Sequence, residues 1–471
     1  MMQTRDGAGL LAALTLCALV GCESTLPPPK LIMGDGGTET LAPIDIAQGA
    51  AVPDSVFTPG VSFELTDQST PSCGAGWSWV STPELTHFNE INLRQQLPNG
   101  DPLRLGFAYK PARSPSSHKL LLVLQGGNGC ANKELCNRTE NRQGFGALAD
   151  GYAGNESCPI EVMMAQTPAD PRDGDIFAND PNNPFYDYHY VFVPYVSGDM
   201  WLGDNPSQVT FAKDESELSR AARYLFRGRD NLNKLLRRIV PSFSGLEEVV
   251  VTGYSAGALG ASFNFPRIVS AFRGLHPNAH YRLLADSAFW LPTHQGAATD
   301  KVNGMPVCLQ TRLRDLFRAD RAAPLDCPGC TNAEFAPHAM EYLFTHHADD
   351  VALVVGEVDQ TLKIILGAGQ NNCAYLDRVS YNPTAKDPFS RYTKAVDFPT
   401  ALSRLGLASA DRAGLFVVDQ NASHPGTLSA ALYNHVWLFW SGLAYDPATT
   451  GEVLAGGLGS GTLGEFLNAV F

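Results

Sequence analysis

A chain of 471 residues, 44% hydrophobic and 17% charged, has room for two average domains or one large α/β domain with insertions. Its formal net charge of -14 argues against a nucleic-acid partner, because binding a phosphate backbone needs a basic surface. The basic residues that do cluster (Arg223, Arg227, Arg229, Lys234, Arg237 and Arg238) fall in a helix-like stretch and read as a solvated helix face.

In chain order, the first element is an export signal. The apolar run from Gly9 to Gly21 follows Arg5, is too short to span a bilayer, and ends in Leu19-Val20-Gly21-Cys22. That ending has the pattern of a bacterial lipobox, in which the cysteine becomes lipidated after cleavage. Residues 1–21 are therefore expected to be a signal peptide and Cys22 the lipidation site. Residues 22–57, rich in Pro and Gly and without sustained periodicity, have the composition of a tether. Residues 58–471 are expected to form a single folded domain in the cell envelope, held to the membrane through the N-terminal lipid. Setting aside Cys17 and Cys22 in the signal, the eight remaining cysteines (Cys73, Cys130, Cys136, Cys158, Cys308, Cys327, Cys330 and Cys373) suit an exported, disulfide-bearing chain. Short spacing favours Cys130 with Cys136. Cys327-Pro328-Gly329-Cys330 alternatively reads as half a zinc site, but no second CxxC or spaced His pair completes one.

Six apolar runs follow: Lys119–Gln125, Tyr188–Tyr195, Leu246–Gly253, Tyr281–Ser287, Asp350–Glu357 and Gly414–Gln420. Continuous β-branched and Leu-rich runs without alternation suit strands buried on both faces of a parallel sheet. Helical stretches are expected at Asp214–Val240 and Thr427–Ala444. The alternation predicts an α/β fold, a doubly wound, mostly parallel sheet, with long inserted loops placed to wall or cover a pocket. Those loops are the connections from about Ala131 to Tyr188 and from about Ala288 to His347.

Candidate chemistry sits where these strands end. After the first comes Gly126-Gly127-Asn128-Gly129, in the position of an HGGG-type loop with Gln125 in place of the histidine. The third runs into Gly253-Tyr254-Ser255-Ala256-Gly257, a G-x-S-x-G nucleophile elbow that makes Ser255 the candidate nucleophile. A serine needs a base, and the base an orienting acid. In the chain order Ser, acid, His, the candidates are Asp359 after the fifth strand and His424 after the sixth. Asp286 after the fourth is the alternative acid, and Glu357 ranks behind both. His346-His347 and His435 fit core or surface positions better than a base. Backbone N–H groups of Gly127, Asn128 and Ala256 are the candidate oxyanion hole. No metal or organic cofactor is expected.

Five segments in order (LLLVLQGGNGC, YVFVPYVSGDMWLGD, VVVTGYSAGALGA, LLADSAFW and SHPGTL) resemble the signature segments of the pectin acetylesterase family, which also includes the Notum carboxylesterases. The resemblance runs from Lys119 to the C-terminus. It implies a serine hydrolase of carbohydrate or lipid acyl esters with an α/β-hydrolase-like fold. It also places Ser255, Asp359 and His424 where the family has its triad, and Gly127-Asn128 where it has its oxyanion hole. The chain departs from the family in having Gly-Gly-Asn-Gly-Cys where an aromatic is usual, and Asp286-Ser287-Ala288-Phe289-Trp290 later, which bears on substrate more than on reaction. Tyr195, Ser197, Gly198, Asp199 and Gly203 match a family segment with no assigned chemical step, and Asp199 reads as a turn cap. The expected partner is an acylated carbohydrate or another ester, with acetyl removal from a polysaccharide first. A Notum-like removal of a longer acyl chain and a non-catalytic surface-binding lipoprotein are the alternatives.

Overall fold

The computed structural model describes residues 31–33, 77–81, 106–127, 129–131, 176–177, 181–195, 197–205, 209–211, 223–224, 226–287, 308–324, 326–331, 335–347, 351–356, 414–418, 450–453 and 459–470. The strands are β1 (Leu31–Met33), β2 (Ser78–Ser81), β3 (Gly106–Lys110), β4 (Lys119–Leu124), β5 (His189–Val193), β6 (Val209–Phe211) and β7 (Arg223–Tyr224). Helix α1 (Gly228–Ile239) is followed by β8 (Glu248–Tyr254), α2 (Ala256–Arg273) and β9 (His280–Asp286). Helices α3 (Cys308–Phe317) and α4 (Phe335–His347) precede β10 (Val351–Gly356) and β11 (Gly414–Val418). The chain closes with β12 (Thr450–Val453), β13 (Gly459–Thr462) and α5 (Leu463–Val470).

All six apolar runs are strands, and they lie side by side as β5-β4-β8-β9-β10-β11, every neighbouring pair parallel. Leu120 to Leu124 and Val249 to Val251 have no exposed surface, as strands covered on both faces require. Antiparallel strands extend the sheet at both sides, β3 and β2 beyond β5, and β12 and β13 beyond β11. A separate antiparallel sheet joins β1, β6 and β7. Helix α2 packs across β8 and β9, α4 packs on α2, and α5 on β11 to β13. This mostly parallel sheet flanked by helices is an α/β-hydrolase-like fold.

Three expectations need correcting. Asp214–Val240, expected as one helix, is interrupted: among its described residues β7 occupies Arg223–Tyr224 and a helix runs from Gly228. The stretch from Ala288 to His347 is no plain loop, since it contains α3 and α4. The basic cluster is not a solvated face either. Arg227 and Arg229 are buried and pair with Asp230 and Asp204, and of that group on α1 only Arg237 is exposed. The tertiary environment supplies carboxylates that a helical wheel cannot show. The expected helix at Thr427–Ala444 and the boundaries at residues 21 and 57 lie outside the described residues, as does Cys22.

Candidate active site

Because β8, β9, β10 and β11 are parallel neighbours, their C-terminal ends meet at one edge. There Tyr254 stands beside Asp286, Asp286 beside Val354, and Gly356 beside Val418. Open parallel sheets assemble their sites at this edge.

Ser255 joins β8 to α2 at φ 52 and ψ -125, a conformation that costs an ordinary side chain about 1–3 kcal/mol. Its N–H donates to the Asp286 carbonyl at 2.9 Å, and its carbonyl accepts from Ala258 and Leu259. The flanking glycines make the turn possible. A Cβ on Gly253 would meet the Gly257 carbonyl oxygen at 2.5 Å, and one on Gly257 would strike the Leu124 carbonyl oxygen. Strand β4, strand β8 and the start of α2 thus meet at backbone contact, with Ser255 in the turn between the two glycines. As first residue of α2, Ala256 has an N–H with no acceptor inside its own helix.

The glycine-rich loop leaves β4 beside this elbow. Its first residue, Gln125, is held from three sides: its N–H donates to the Val193 carbonyl at 3.0 Å, its Oε1 accepts from Tyr195 N–H at 2.8 Å, and its carbonyl accepts from Trp201 Nε1 at 3.1 Å. Gly126 packs on the Tyr254 backbone and ring, where any Cβ would clash. The Tyr254 phenol oxygen accepts hydrogen bonds from the Gln125 side chain and the Gly126 N–H, and burial pushes its pKa up. With the Gly126 N–H occupied in this way, Gly127, which is half-buried, is the next donor along the loop. Neither Tyr254 nor Trp201 stands out in the sequence, because each acts on a loop far away along the chain.

Asp286 is fully buried at the end of β9, and its carboxylate accepts from Ser287 Oγ at 2.8 Å. Ser287, at φ 57, ties this end to β10 through an N–H to the Val354 carbonyl at 2.8 Å. Asn128, Glu357, Asp359 and His424 lie outside the described residues. The strands they follow end on the Ser255 edge. His346 and His347, which read as preceding a strand, are the last two residues of α4; burial, together with nearby Arg273 and His346, lowers the His347 pKa to about 4.

Cys327 and Cys330 form a disulfide, which settles that pair against a zinc half-site. Cys130 is also disulfide-bonded, but its partner and the expected pairing with Cys136 lie outside the described residues. Among the described residues no cluster of three or more His, Cys, Asp or Glu is arranged to hold a metal ion, and no helix is long and apolar enough to cross a membrane.

Residues 101–327 match the Pectinacetylesterase family model. Palmitoleoyl-protein carboxylesterase NOTUM of Mus musculus is 27% identical over 200 residues, covering 41% of this chain and 34% of that protein. The Homo sapiens protein of the same name is 28% identical over 203 residues, covering 42% and 35%. The matched stretch thus spans about a third of the length of these relatives. A crystal structure of the Wnt deacylase Notum from Drosophila superposes over 69% of this chain and 82% of its own, with 19% identity and a TM-score of 0.45. Over residues 101–327 the chain is similar to the pectin acetylesterase family, and part of it is similar to the Notum carboxylesterases.

Proposed function

We propose that this protein is a serine hydrolase of carboxylic esters. The single observation that carries the reading is Ser255, held at positive φ between two glycines that no other residue could replace without backbone collision. Ser255 Oγ attacks the ester carbonyl carbon while His424 takes its proton, and Asp359 orients the imidazole and stabilises it when charged. The tetrahedral intermediate places its oxyanion toward the N–H groups of Gly127, Asn128 and Ala256. Collapse expels the alcohol, which leaves with the proton from His424. Water, deprotonated by His424, then cleaves the acyl-enzyme to the carboxylic acid and free Ser255.

The leading substrate is an acetylated polysaccharide, following the family description; the relatives that carry the name palmitoleoyl-protein carboxylesterase favour a longer acyl chain as the second reading. The net charge of -14 weighs against a strongly acidic polymer such as pectin itself. We place the enzyme outside the inner membrane, anchored by lipid at Cys22, with residues 22–57 as tether and 58–471 as catalytic domain.

p-Nitrophenyl acetate and longer p-nitrophenyl esters, assayed with wild type and Ser255→Ala, test this reading. The substitution should lower kcat by roughly 1,000-fold or more. Equal turnover in both proteins overturns the hydrolase reading. A rate that rises with acyl length moves the substrate from acetyl to long-chain esters.

A further inference from the structure

Asp199 has no exposed surface and lies in the segment that the family resemblance picks out without giving it a task. Its carboxylate accepts from Ser197 Oγ at 2.6 Å, Trp201 N–H at 3.1 Å and Gly228 N–H at 2.6 Å. Gly228 begins α1, so the anion sits at the positive end of that helix. Gly203 and Gly228 lack side chains where the carboxylate would collide with a Cβ.

What this carboxylate pins is strained. Met200 and Trp201, neither of them glycine, sit consecutively at φ 54 and φ 63. Such pairs persist only where the surroundings overdetermine them. The strained turn in turn grips the glycine-rich loop at both ends. Trp201 Nε1 donates to the Gln125 carbonyl at 3.1 Å, while Cys130 N–H donates to the Gly198 carbonyl at 2.7 Å. The Met200 side chain fills the space a Cβ on Gly129 would need. Helix α2 fixes the same turn, since Asn264 Nδ2 donates to the Trp201 carbonyl at 3.0 Å and Trp201 packs on Gly260. Gly127 and Asn128 lie between the two gripped ends.

We propose that Asp199 is a positioning residue for the oxyanion loop, stapling the Met200–Trp201 turn so that the loop's N–H groups are aimed before substrate arrives. This rests on the esterase reading above. Among the described groups, Tyr195 is the other titratable side chain facing Asp199. The guanidiniums of Arg227 and Arg229, on either side of Gly228, are engaged by Asp230 and Asp204 instead.

Asp199→Asn keeps the shape but turns an amide toward one of the donors. A full oxyanion donor is worth ~100–1,000-fold, so a misaimed loop should lower kcat by roughly 10- to 100-fold with KM within about threefold. Amide exchange should speed up across residues 125–130 while β8 stays protected. Trp201→Phe, which deletes one grip and leaves Asp199 in place, should lower kcat by roughly 3- to 10-fold, and the double variant should fall short of the product of the two. Unchanged kcat, unchanged loop exchange, or fully multiplicative losses would overturn the proposal. If Asp199→Asn does not fold, Trp201→Phe and Ser197→Ala decide it by the same two readouts. If wild type cleaves no ester, the hydrolase reading fails, whereas loop exchange still tests the staple.

Discussion

The two ends of the parallel strands are built on opposite principles. Where the strands begin, Glu248 gathers its neighbours: it accepts from the Tyr188 hydroxyl at 2.7 Å and pairs with Lys119 at 3.3 Å and Arg282 at 3.4 Å. The left-handed residue in the turn leading there is Gly245, at φ 65, where a side chain is not needed. Where the strands finish, Ser255, Ser287, Met200 and Trp201 all hold positive φ, and each of them carries a side chain. The finishing edge accepts strain because it must present a hydroxyl, or hold a loop, in one direction; the starting edge has only to be stable. A glycine there would relax the backbone but remove the group being presented.

The sharpest way to break this contrast is Gly257→Ala. Its Cβ would collide with the Leu124 carbonyl, which cannot move without dragging β4. A loss of ~3 kcal/mol in stability is expected from overpacking, and kcat should drop by roughly 100-fold as the elbow shifts. Denaturation and steady-state kinetics check both, and a variant with normal kcat would remove the elbow's special status. Glu248→Ala should behave oppositely. It leaves the Tyr188 hydroxyl without its acceptor, costing about 1–3 kcal/mol, with kcat unchanged. If kcat falls as much as stability does, the two edges are not functionally distinct.

The smallest expected effect lies in the pH dependence of stability. Burial raises the Asp199 pKa from 3.8 to about 6, so the folded chain binds this proton more readily than the unfolded one. Its contribution to stability therefore falls as pH rises from about 4 to about 6. His347 is lowered from 6.5 to about 4 by burial, so its contribution is present above 6.5 and is lost as pH falls toward 4. The two slopes oppose each other over nearly the same window. Asp199→Asn should leave stability rising with pH there, and His347→Gln should leave it falling. Melting temperatures across that window read the sign directly.

How far the sequence reached differs by element. The six parallel strands were legible because each is a continuous apolar run, and the elbow was legible because its two glycines and serine are adjacent. Strands β12 and β13, Thr450–Val453 and Gly459–Thr462, carry no such run; they exist by pairing with β11 and with each other. The buried arginines defeated a reading by charge alone, since Asp204 is 25 residues away from Arg229 along the chain. Asp199 looked like a turn cap, and in part it is one, through Ser197 and Trp201. Its third partner, Gly228, lies 29 residues further on and gives the residue its reach.

By itself the sequence determined where the parallel strands lie along the chain, a family resemblance, and a serine poised between glycines, because these depend on residues that are neighbours in the chain. Only the tertiary structure decided what holds the glycine-rich loop in place. Gln125, Asp199, Trp201, Gly228 and Tyr254 come from separate elements, and the hydrogen bonds and close backbone approaches that join them exist only once those elements are packed.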